Sequence, residues 1–445
     1  RNLERAPIAH GMTSIGSRRG ASSHQYNPFM IVADRNAGEE DGRCYGLSFV
    51  YSGNFKGEAE KDQYGQTRVI MGLQDELFSY RLKPGEAFYG PEVILSYSGE
   101  GIGKLSRNFH KVIRHNLCRG KFKEMPRPVL VNNWEATYLD FTGEKICEIG
   151  RQAAELGIEM LVLDDGWFGK RDSDSVSLGD WVVNEKKLGG PLSSIVERVN
   201  AMGLKFGLWV EPEMVSEDSD LYRAHPDWAM VIPGRRPVRS RQQLVLDFSR
   251  EEVADYIFDS LCRVLDSANV EYLKWDMNRS VIDVYSALAG CAEQGEVLYK
   301  YTLGLYRFLD RIGRRYPNIL IEGCCGGGGR FDAGMLYYGP QIWCSDNTDA
   351  IDRIRIQYGT SFGYPISAVG SHVSAVPNHQ TGRSVPLKTR GAVAMAGSFG
   401  YELDLGKLTP AEKEEVKAQV KAYKDNWKLI QDGEYYRLSN PYEPD

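Results

Sequence analysis

Residues 160–167, Met-Leu-Val-Leu-Asp-Asp-Gly-Trp, show the pattern that indicates the fold class. Four apolar residues, typical of a strand buried on both faces, end abruptly in two carboxylates and a tryptophan. A helical segment follows at 191–202, and a second apolar run, KFGLWV, begins at Lys205. This alternation of buried strand and helix predicts a parallel sheet made of strand–helix units.

The same alternation continues over most of the chain and gives eight candidate strands. They are Pro128–Asn133, Met160–Asp165, Lys205–Val210, Leu244–Asp247, Tyr272–Asp276, Ile319–Glu322, Gln341–Ser345 and Ile366–Val369. Eight such repeats predict a closed (β/α)8 TIM barrel over residues 126–430. An open doubly wound sheet is the alternative, but no G-x-G-x-x-G segment follows the first strand.

The regions on either side of the barrel have a different pattern. Residues 1–100 contain short β runs separated by turn residues, which predict a partial N-terminal β-sandwich. These runs are Phe29–Ala33, Cys44–Tyr51, Thr67–Leu73, Leu77–Leu82 and Pro91–Tyr97. A helix is predicted at 102–116, within a linking segment 101–125. Residues 433–438 are predicted to begin a truncated C-terminal β domain, 431–445. The fold class is therefore α/β, a TIM barrel preceded by a partial β-sandwich.

Charge and cysteine usage restrict the classes of partner and the cellular compartment that we expect for this chain. The 445 residues carry a formal charge of −6 and a pI of about 5.8, which gives no reason to expect nucleic acid or a membrane as partner. Eight cysteines are scattered without the spacing of a disulfide framework or a C-x-x-C zinc site. Free thiols in a reducing cytoplasm are therefore the expectation.

Carboxylates and tryptophans recur at the carboxyl ends of the predicted strands, where a TIM barrel places its active site. The first strands end beside Trp134, beside Asp164 and Asp165, and beside Trp209 with Glu211 and Glu213. Carboxylates bind hydroxyl groups and flat rings stack on the C–H faces of sugars. The strand ends therefore predict a carbohydrate pocket.

Two later strand ends supply the pair of carboxyl groups that glycoside hydrolysis needs. Asp276 is the candidate nucleophile, because Lys274 lies two residues earlier on the same strand face and favours its ionised form. Asp346 is the candidate acid/base. For either aspartate alone, a helix cap or a loop ion pair is the competing interpretation.

Several neighbouring motifs have competing interpretations. Asp164-Asp165 can hold a divalent cation, although no histidine stands at the strand ends before His372. The run Cys324–Gly329 lacks the Gly-Lys-Ser/Thr ending of a P-loop, and its glycines let backbone approach a ligand. Trp134 and Trp209 can each be barrel packing instead. Glu211 and Glu213 can each pair with a barrel arginine.

Together these strand ends resemble the family 36 glycoside hydrolases, specifically the bacterial α-galactosidases. The resemblance covers essentially the whole chain and rests on five stretches: Leu163–Gly169, Trp209–Met214, Lys274–Arg279, Glu322–Cys324 with Gly326–Asp332, and Ser345–Asp349. Relatives often have Asn and Ser where this chain has Gly323 and Cys325. Their N-terminal β-sandwich and C-terminal β domain are also fuller.

The resemblance implies a retaining α-galactosidase that acts on melibiose, raffinose and stachyose. Asp276 would be the nucleophile and Asp346 the acid/base. The remaining roles would be as follows: Asp164 and Asp165 on the 4- and 6-hydroxyls, Arg241 and Lys274 on ring hydroxyls, Cys324 and Gly326 on the 2-hydroxyl side, and Trp134 and Trp209 as walls. No cofactor or metal is implied. The partners would be an oligosaccharide substrate and further copies of the chain, since full-length relatives form tetramers.

Three alternatives stay open at this point. An α-N-acetylgalactosaminidase would need room beside Cys324–Gly326 for an acetamido group. A transglycosylase of the raffinose-synthase kind fits the strand-end motifs less closely. A non-catalytic sugar-binding fragment is the alternative outside enzymes, and the presence of both Asp276 and Asp346 argues against it.

Overall fold

The computed structural model describes residues 3–22 and 24–443. Its first part holds two antiparallel three-stranded sheets, ordered β1-β4-β5 and β2-β3-β6. Their strands are β1 Gly11–Gly16, β2 Phe29–Ala33, β3 Cys44–Phe49, β4 Phe55–Lys61, β5 Thr67–Leu73 and β6 Val93–Ser98. The predicted strands at β2 and β5 have the observed bounds, while β1 and β4 were not predicted. The predicted strand Leu77–Leu82 is wrong: it is turn and irregular chain, with Leu77 at a φ of 58°.

Helix α1, Gly101–Val112, connects these sheets to the barrel and continues as one wide turn, Ile113–Leu117. Leu105 and Phe109 recur on one face of α1 and are fully buried with Cys44 of β3. The Phe109 ring meets the ring of Phe29 edge-on at 5.1 Å. The predicted helix is therefore confirmed, and its apolar face fixes the β2-β3-β6 sheet to the chain that enters the barrel.

Eight parallel strands close into a barrel, as predicted. They are β7 Leu130–Asn132, β8 Met160–Leu163, β9 Lys205–Val210, β12 Tyr272–Trp275, β13 Leu320–Gly323, β14 Gln341–Trp343, β15 Val369–Ser374 and β16 Ser398–Glu402. Closure joins the first strand to the last: Gly400 pairs with Leu130, and Tyr401 with Val131. Strand β8 is buried along its whole length, as its unbroken apolar run predicts.

One predicted barrel strand is wrong and another was missed. Residues Leu244–Val245 form β11, which pairs antiparallel with β10, Met214–Val215, in a ribbon outside the barrel. Strand β9 pairs directly with β12. The eighth position is taken by β16, whose sequence SFGYE lacks a continuous apolar run. The segment Ile366–Ala368 is a short 3-10 helix that leads into β15.

The remaining helices surround the barrel or lie in its loops. They are α2 Trp134–Thr137, α3 Gly143–Glu155, α4 Glu185–Leu188, α5 Leu192–Ala201, α6 Asp220–Ala224, α7 Glu251–Leu265, α8 Val297–Arg315, α9 Ala333–Tyr338, α10 Ala350–Thr360, α11 Leu387–Ala394 and α12 Pro410–Asp432. Short 3-10 turns lie at Lys121–Lys123, Pro226–Trp228, Cys291–Glu296 and Leu405–Lys407. In the described part of the chain, none of the helices has the length and apolar character that crossing a bilayer requires.

The segment after α12 packs back onto the first part of the chain. Residues 433–438 form no strand in the structure, contrary to the prediction. Arg437 is buried there and makes a bidentate pair with Glu39, both contacts at 2.8 Å. It also donates to the Ser361 carbonyl at 3.1 Å. One side chain therefore links the β2–β3 loop to the end of α10.

Candidate active site

A cavity of about 220 Å³ opens at the carboxyl end of the barrel. It is smaller than the roughly 300–1,000 Å³ typical of sites for drug-sized ligands, and its size suits a single sugar ring. The residues that line it are Trp134, Glu135, Asp164, Asp165, Trp209, Arg241, Lys274, Asp276, Asn278, Trp343, Asp346, Thr348, His379, Gln380 and Glu402. Eight of the ten predicted site residues are in this set, and the other two, Cys324 and Gly326, contact Asp276.

Asp276 follows β12 directly, and four donors hold its buried carboxylate. Oδ2 accepts from Trp209 Nε1 at 3.1 Å and from Asn278 Nδ2 at 2.7 Å. Oδ1 accepts from the Met277 amide at 2.8 Å and from the Gly326 amide at 3.2 Å. Burial alone would raise the pKa of Asp276. The Lys274 ammonium and the hydrogen bonds outweigh burial and lower the pKa below its usual value.

Asp346 follows β14 and faces the same cavity under the opposite influence. Its Oδ1 accepts from Trp343 Nε1 at 3.1 Å, and its backbone carbonyl accepts from Gln380 Nε2 at 2.8 Å. Burial and the nearby charge of Asp276 raise the pKa of Asp346 to about 6. One pocket therefore holds an ionised carboxyl group and a readily protonated one. In such a pair, the ionised group can act as nucleophile or base and the protonated group as proton donor.

The two carboxylates that end β8 are fixed by separate cations. Asp164 Oδ2 accepts from Lys274 Nζ at 2.9 Å and from Asn132 Nδ2 at 2.6 Å. Asp165 makes a two-pronged pair with buried Arg171, with contacts at 2.9–3.2 Å. In the part of the chain that the structure describes, no three acidic, histidine or cysteine side chains group as a metal site would require. The arrangement suits hydroxyl binding better than cation binding.

Two tryptophans and an arginine form the walls of the cavity. Trp209 is buried, and its carbonyl accepts from Trp167 Nε1 at 2.9 Å, which fixes the end of β9. Trp134 begins α2 and is half-buried, so its ring is open to the pocket. Arg241 reaches in from the loop before β11 and donates to Asn278 Oδ1 at 2.9 Å.

Cys324 and Gly326 lie behind Asp276, in the loop after β13. The buried Cys324 thiol contributes to the lowered pKa of Asp276, and burial raises the pKa of that thiol well above its usual value. Gly326 and Gly327 have φ values of 49° and 82°, in the region that favours glycine. The neighbouring thiols of Cys324 and Cys325 are both free.

Sequence analysis missed several residues that line the cavity. Glu402 ends β16, the strand that was not predicted, and its carboxylate contacts His372 Nδ1 at 3.1 Å. Glu135 lies beside Trp134 in the short helix α2 and accepts from Thr348 Oγ1 at 2.8 Å. Burial and the charge of Glu402 raise the pKa of Glu135 to about 8. A strand-end position would have identified Glu402, whereas Glu135 carried no comparable signal.

The two glutamates that flank Pro212 differ in role. Glu213 is fully buried and forms a bidentate pair with Arg330 at 2.8 and 2.9 Å, which matches the predicted structural ion pair. Glu211 accepts instead from Gln243 Nε2 at 2.7 Å and from the Asn278 amide. Burial and the charge of Asp276 raise the pKa of Glu211 to about 8. Glu211 is therefore protonated near neutral pH and leaves the negative charge on Asp276.

Comparison with known proteins places the chain in a family. The Melibiase family matches residues 87–433, and the glycosyl hydrolase family 36 N-terminal domain matches residues 1–83. The chain is 60% identical to the bifunctional α-galactosidase/sucrose kinase AgaSK of Mediterraneibacter gnavus, over 99% of this chain and 46% of that protein. It is 56% identical to the α-galactosidase AgaA of Geobacillus stearothermophilus, over 99% of this chain and 60% of that protein.

Solved structures agree with this placement. The crystal structure of AgaA superposes with a TM-score of 0.99 and covers 100% of this chain and 62% of its own. Variants of AgaA have been crystallised with raffinose and with stachyose. The chain thus spans about half to three fifths of the length of these relatives. With the family match over most of its length, the chain belongs to the melibiase family, glycoside hydrolase family 36.

Proposed function

We propose that this chain is a retaining glycoside hydrolase that removes terminal α-D-galactosyl residues. The observation that carries the proposal is the opposed state of two carboxyl groups in one sugar-sized cavity: the pKa of Asp276 is lowered, and that of Asp346 is raised to about 6. A displacement at an anomeric carbon requires one ionised and one protonated carboxyl group. The α-galactosidase names of the relatives support the choice of galactose.

The first step forms a covalent intermediate. Asp276 attacks the anomeric carbon with a carboxylate oxygen and forms a β-galactosyl ester. As the glycosidic C–O bond breaks, Asp346 donates its proton to the departing oxygen. The four donors to Asp276 keep the attacking carboxylate in place, and the low pKa of Asp276 keeps it ionised.

The second step returns both groups to their starting state. Asp346, now a carboxylate, takes a proton from water as the water oxygen attacks the anomeric carbon and the ester bond to Asp276 breaks. Two inversions leave the released galactose in the α configuration. The neutral form of Glu211 is part of this arrangement, because a second charge beside Asp276 would favour protonation of the nucleophile.

The substrate contacts follow from the positions of the polar walls. Asp164 and Asp165 are assigned to the 4- and 6-hydroxyls, where their pairs with Lys274 and Arg171 keep both carboxyl groups in place. Arg241 and Lys274 are assigned to the remaining ring hydroxyls. Raffinose and stachyose, bound by variants of the 56%-identical AgaA, are the natural substrates to test beside melibiose.

Two further points belong to the same proposal. All eight cysteines are free, seven of them buried, which fits a reducing cytoplasm. Large apolar side chains are exposed in the N-terminal part, above all Leu77 at 92% and Tyr64 and Tyr89 at 81% each. We infer a homo-oligomer from the family resemblance alone, and these side chains are candidates for its contact surface. Light scattering measures the oligomeric state.

The decisive experiment follows hydrolysis of p-nitrophenyl α-galactoside and of the matching α-N-acetylgalactosaminide. The wild type should cleave the galactoside, Asp276→Ala should be inactive, and Asp218→Ala, a change at an exposed aspartate, should leave activity intact. NMR of the first product should show α-galactose. Cleavage of the acetamido substrate alone would move the assignment to an α-N-acetylgalactosaminidase, and a folded protein inactive on both would contradict the proposal.

A further inference from the structure

The glycine turn at residues 325–329 contacts the carboxylate of Asp276 and packs against the backbone of Asp346. It is closed by two backbone bonds, from the Cys325 amide to the Gly327 carbonyl at 2.8 Å and from the Gly329 amide to the Cys325 carbonyl at 3.2 Å. The Gly326 amide donates to Asp276 Oδ1 at 3.2 Å. Gly327 lies so close to the Asp346 backbone that an added Cβ would stand 2.6 Å from the Asp346 nitrogen. The position of this turn therefore affects both aspartates.

A segment from the N-terminal part of the chain holds the other side of this turn. His24 Nε2 donates to the Gly326 carbonyl at 2.5 Å, because a carbonyl can only accept. Ser22 Oγ donates to the Gly329 carbonyl at 3.1 Å, or to Asp332 Oδ2 at 2.7 Å. Asn27 Nδ2 donates to the Phe331 carbonyl at 2.6 Å. A stretch more than 300 residues away in sequence thus supports the loop after β13.

His24 is the member of this segment that acts on the residue next to the nucleophile. Its imidazole holds the carbonyl of Gly326, and Asp276 holds the amide of the same residue. Glycine has wide freedom in φ and ψ, so hydrogen bonds at both the carbonyl and the amide of Gly326 restrict a turn that has Gly326 at φ 49° and Gly327 at φ 82°. The ring of His24 also fills the space beside Gly329, where an added Cβ would lie 2.7 Å from its Cε1.

We propose that His24 is a positioning residue for the catalytic pair: it fixes the Gly326 peptide so that its amide stays directed at Asp276 and the turn stays packed behind Asp346. The N-terminal part of the chain thereby contributes to the chemistry of the barrel. This inference rests on the proposed function. It predicts that the loss of one exposed side chain lowers turnover without lowering stability or weakening substrate binding.

The test compares His24→Ala with two further variants in p-nitrophenyl α-galactoside hydrolysis. His24→Gln keeps an N–H donor that can reach the Gly326 carbonyl, and His10→Ala removes another exposed histidine of the N-terminal segment. For each we measure kcat, KM, the thermal midpoint and the pH dependence of kcat/KM. Wild type and Asp276→Ala are assayed first. An inactive wild type contradicts the proposed function, whereas the inference on His24 is judged only against an active one.

We expect kcat of His24→Ala to fall about three- to tenfold, from the usual net contribution of one hydrogen bond, with KM within twofold and the thermal midpoint unchanged. The acid limb of kcat/KM should move to higher pH, because a weaker Gly326 bond stabilises the ionised Asp276 less. The other charged or titratable groups that interact with Asp276 are the same in every variant: Lys274, Arg241, Cys324, Cys325, Glu211 and Asp346.

His24→Gln should recover most of the lost turnover and the wild-type acid limb, and His10→Ala should match the wild type. Two results would overturn the inference. One is an unchanged kcat and pH profile in His24→Ala. The other is a loss of activity that follows a lower thermal midpoint and is not recovered by glutamine, since that pattern marks a structural role only.

Discussion

Lys274 Nζ lies 2.9 Å from Asp164 Oδ2, and both side chains are less than one tenth exposed. Burial would lower the pKa of Lys274, but Asp164, Glu402 and Asp276 surround the ammonium and raise the pKa well above its usual value. The same ammonium holds Asp276 in its ionised form. One cation therefore fixes Asp164, a candidate substrate-binding residue, and lowers the pKa of the candidate nucleophile.

Replacing this lysine should damage both stability and activity. In Lys274→Met, Asp164 is left as a buried charge without its ammonium, which should lower the free energy of unfolding by about 3–5 kcal/mol. Turnover should fall as well, because Asp276 loses its nearest cation. Urea unfolding and p-nitrophenyl α-galactoside assays measure the two effects. Lys205→Met, which breaks a partly exposed pair with Glu271, should cost less than about 1 kcal/mol; an equal cost at both sites would contradict this account.

The pH dependence of kcat/KM should report the ionisation of the two candidate catalytic aspartates. Activity requires ionised Asp276, whose pKa is lowered, and protonated Asp346, whose pKa is raised to about 6. The acid limb should therefore lie below the ordinary aspartate value of about 3.9, and activity should decline above about pH 6. Asp346→Asn should lose the alkaline limb and about 10²–10⁴ in rate on raffinose. A variant that retained the limb would show that another group titrates there.

Glu211→Gln should stabilise the protein increasingly as pH rises. The folded protein holds a proton on Glu211 up to about pH 8, whereas an unfolded chain releases it near pH 4.3. The contribution of Glu211 to the free energy of unfolding is therefore fully present below about pH 4.3 and is lost as the pH rises through 8. The slope of this loss is at most about 1.4 kcal/mol per pH unit. Glutamine does not titrate, so the variant does not lose stability in this way. Its thermal midpoint should therefore rise relative to that of the wild type between pH 5 and 8.

Glu144→Gln is the matched comparison for this measurement. The exposed Glu144 pairs with Arg198, whose hydrogen bonds lower the pKa of Glu144, so its contribution is present at high pH and is lost in acid. The difference between this variant and the wild type should not grow in favour of glutamine above pH 5. Parallel behaviour of the two variants would exclude burial of Glu211 as the cause.

Gly327→Ala should reduce activity because the added Cβ collides with the Asp346 backbone, and not only because alanine disfavours a positive φ. The change places a Cβ 2.6 Å from the Asp346 nitrogen at a φ of 82°, so the backbone that carries the acid/base must move. We expect a loss of about tenfold to a hundredfold in kcat, the range that small displacements of reacting groups produce. Gly234→Ala is the control, since its φ is 75° and nothing lies within 4 Å. Equal losses in both variants would refute the crowding argument.

The sequence predicts the barrel because parallel strands buried on both faces leave unbroken apolar runs, as in Met160–Leu163. It does not say which strand pairs with which. Leu244-Val245-Leu246 has the composition of a barrel strand, yet its partner is the antiparallel Met214–Val215. Strand β16 was missed for the opposite reason, because Gly400 leaves a gap in its apolar pattern where an added Cβ would meet the Leu130 carbonyl at 2.9 Å.

The candidate site was predicted to the extent that its residues follow a recognisable strand. Asp164, Asp276 and Asp346 lie just after the ends of β8, β12 and β14 and line the cavity. Glu402 was missed together with its strand, and Glu135 lies in a short helix whose sequence resembles any loop. The support of the glycine turn by His24 depends on contact between segments more than 300 residues apart, which no local pattern encodes.

The pairing of Gly400 with Leu130 and of Tyr401 with Val131 bears on how the protein folds during synthesis. One edge of strand β7 has no β16 partner until residues 398–402 have left the ribosome, some 270 residues later. Over that interval β7 and the most recently made strand both present unpaired backbone, which attracts other chains. Nascent chains stalled before residue 398 should therefore be the ones that chaperones hold, and release should coincide with the arrival of β16.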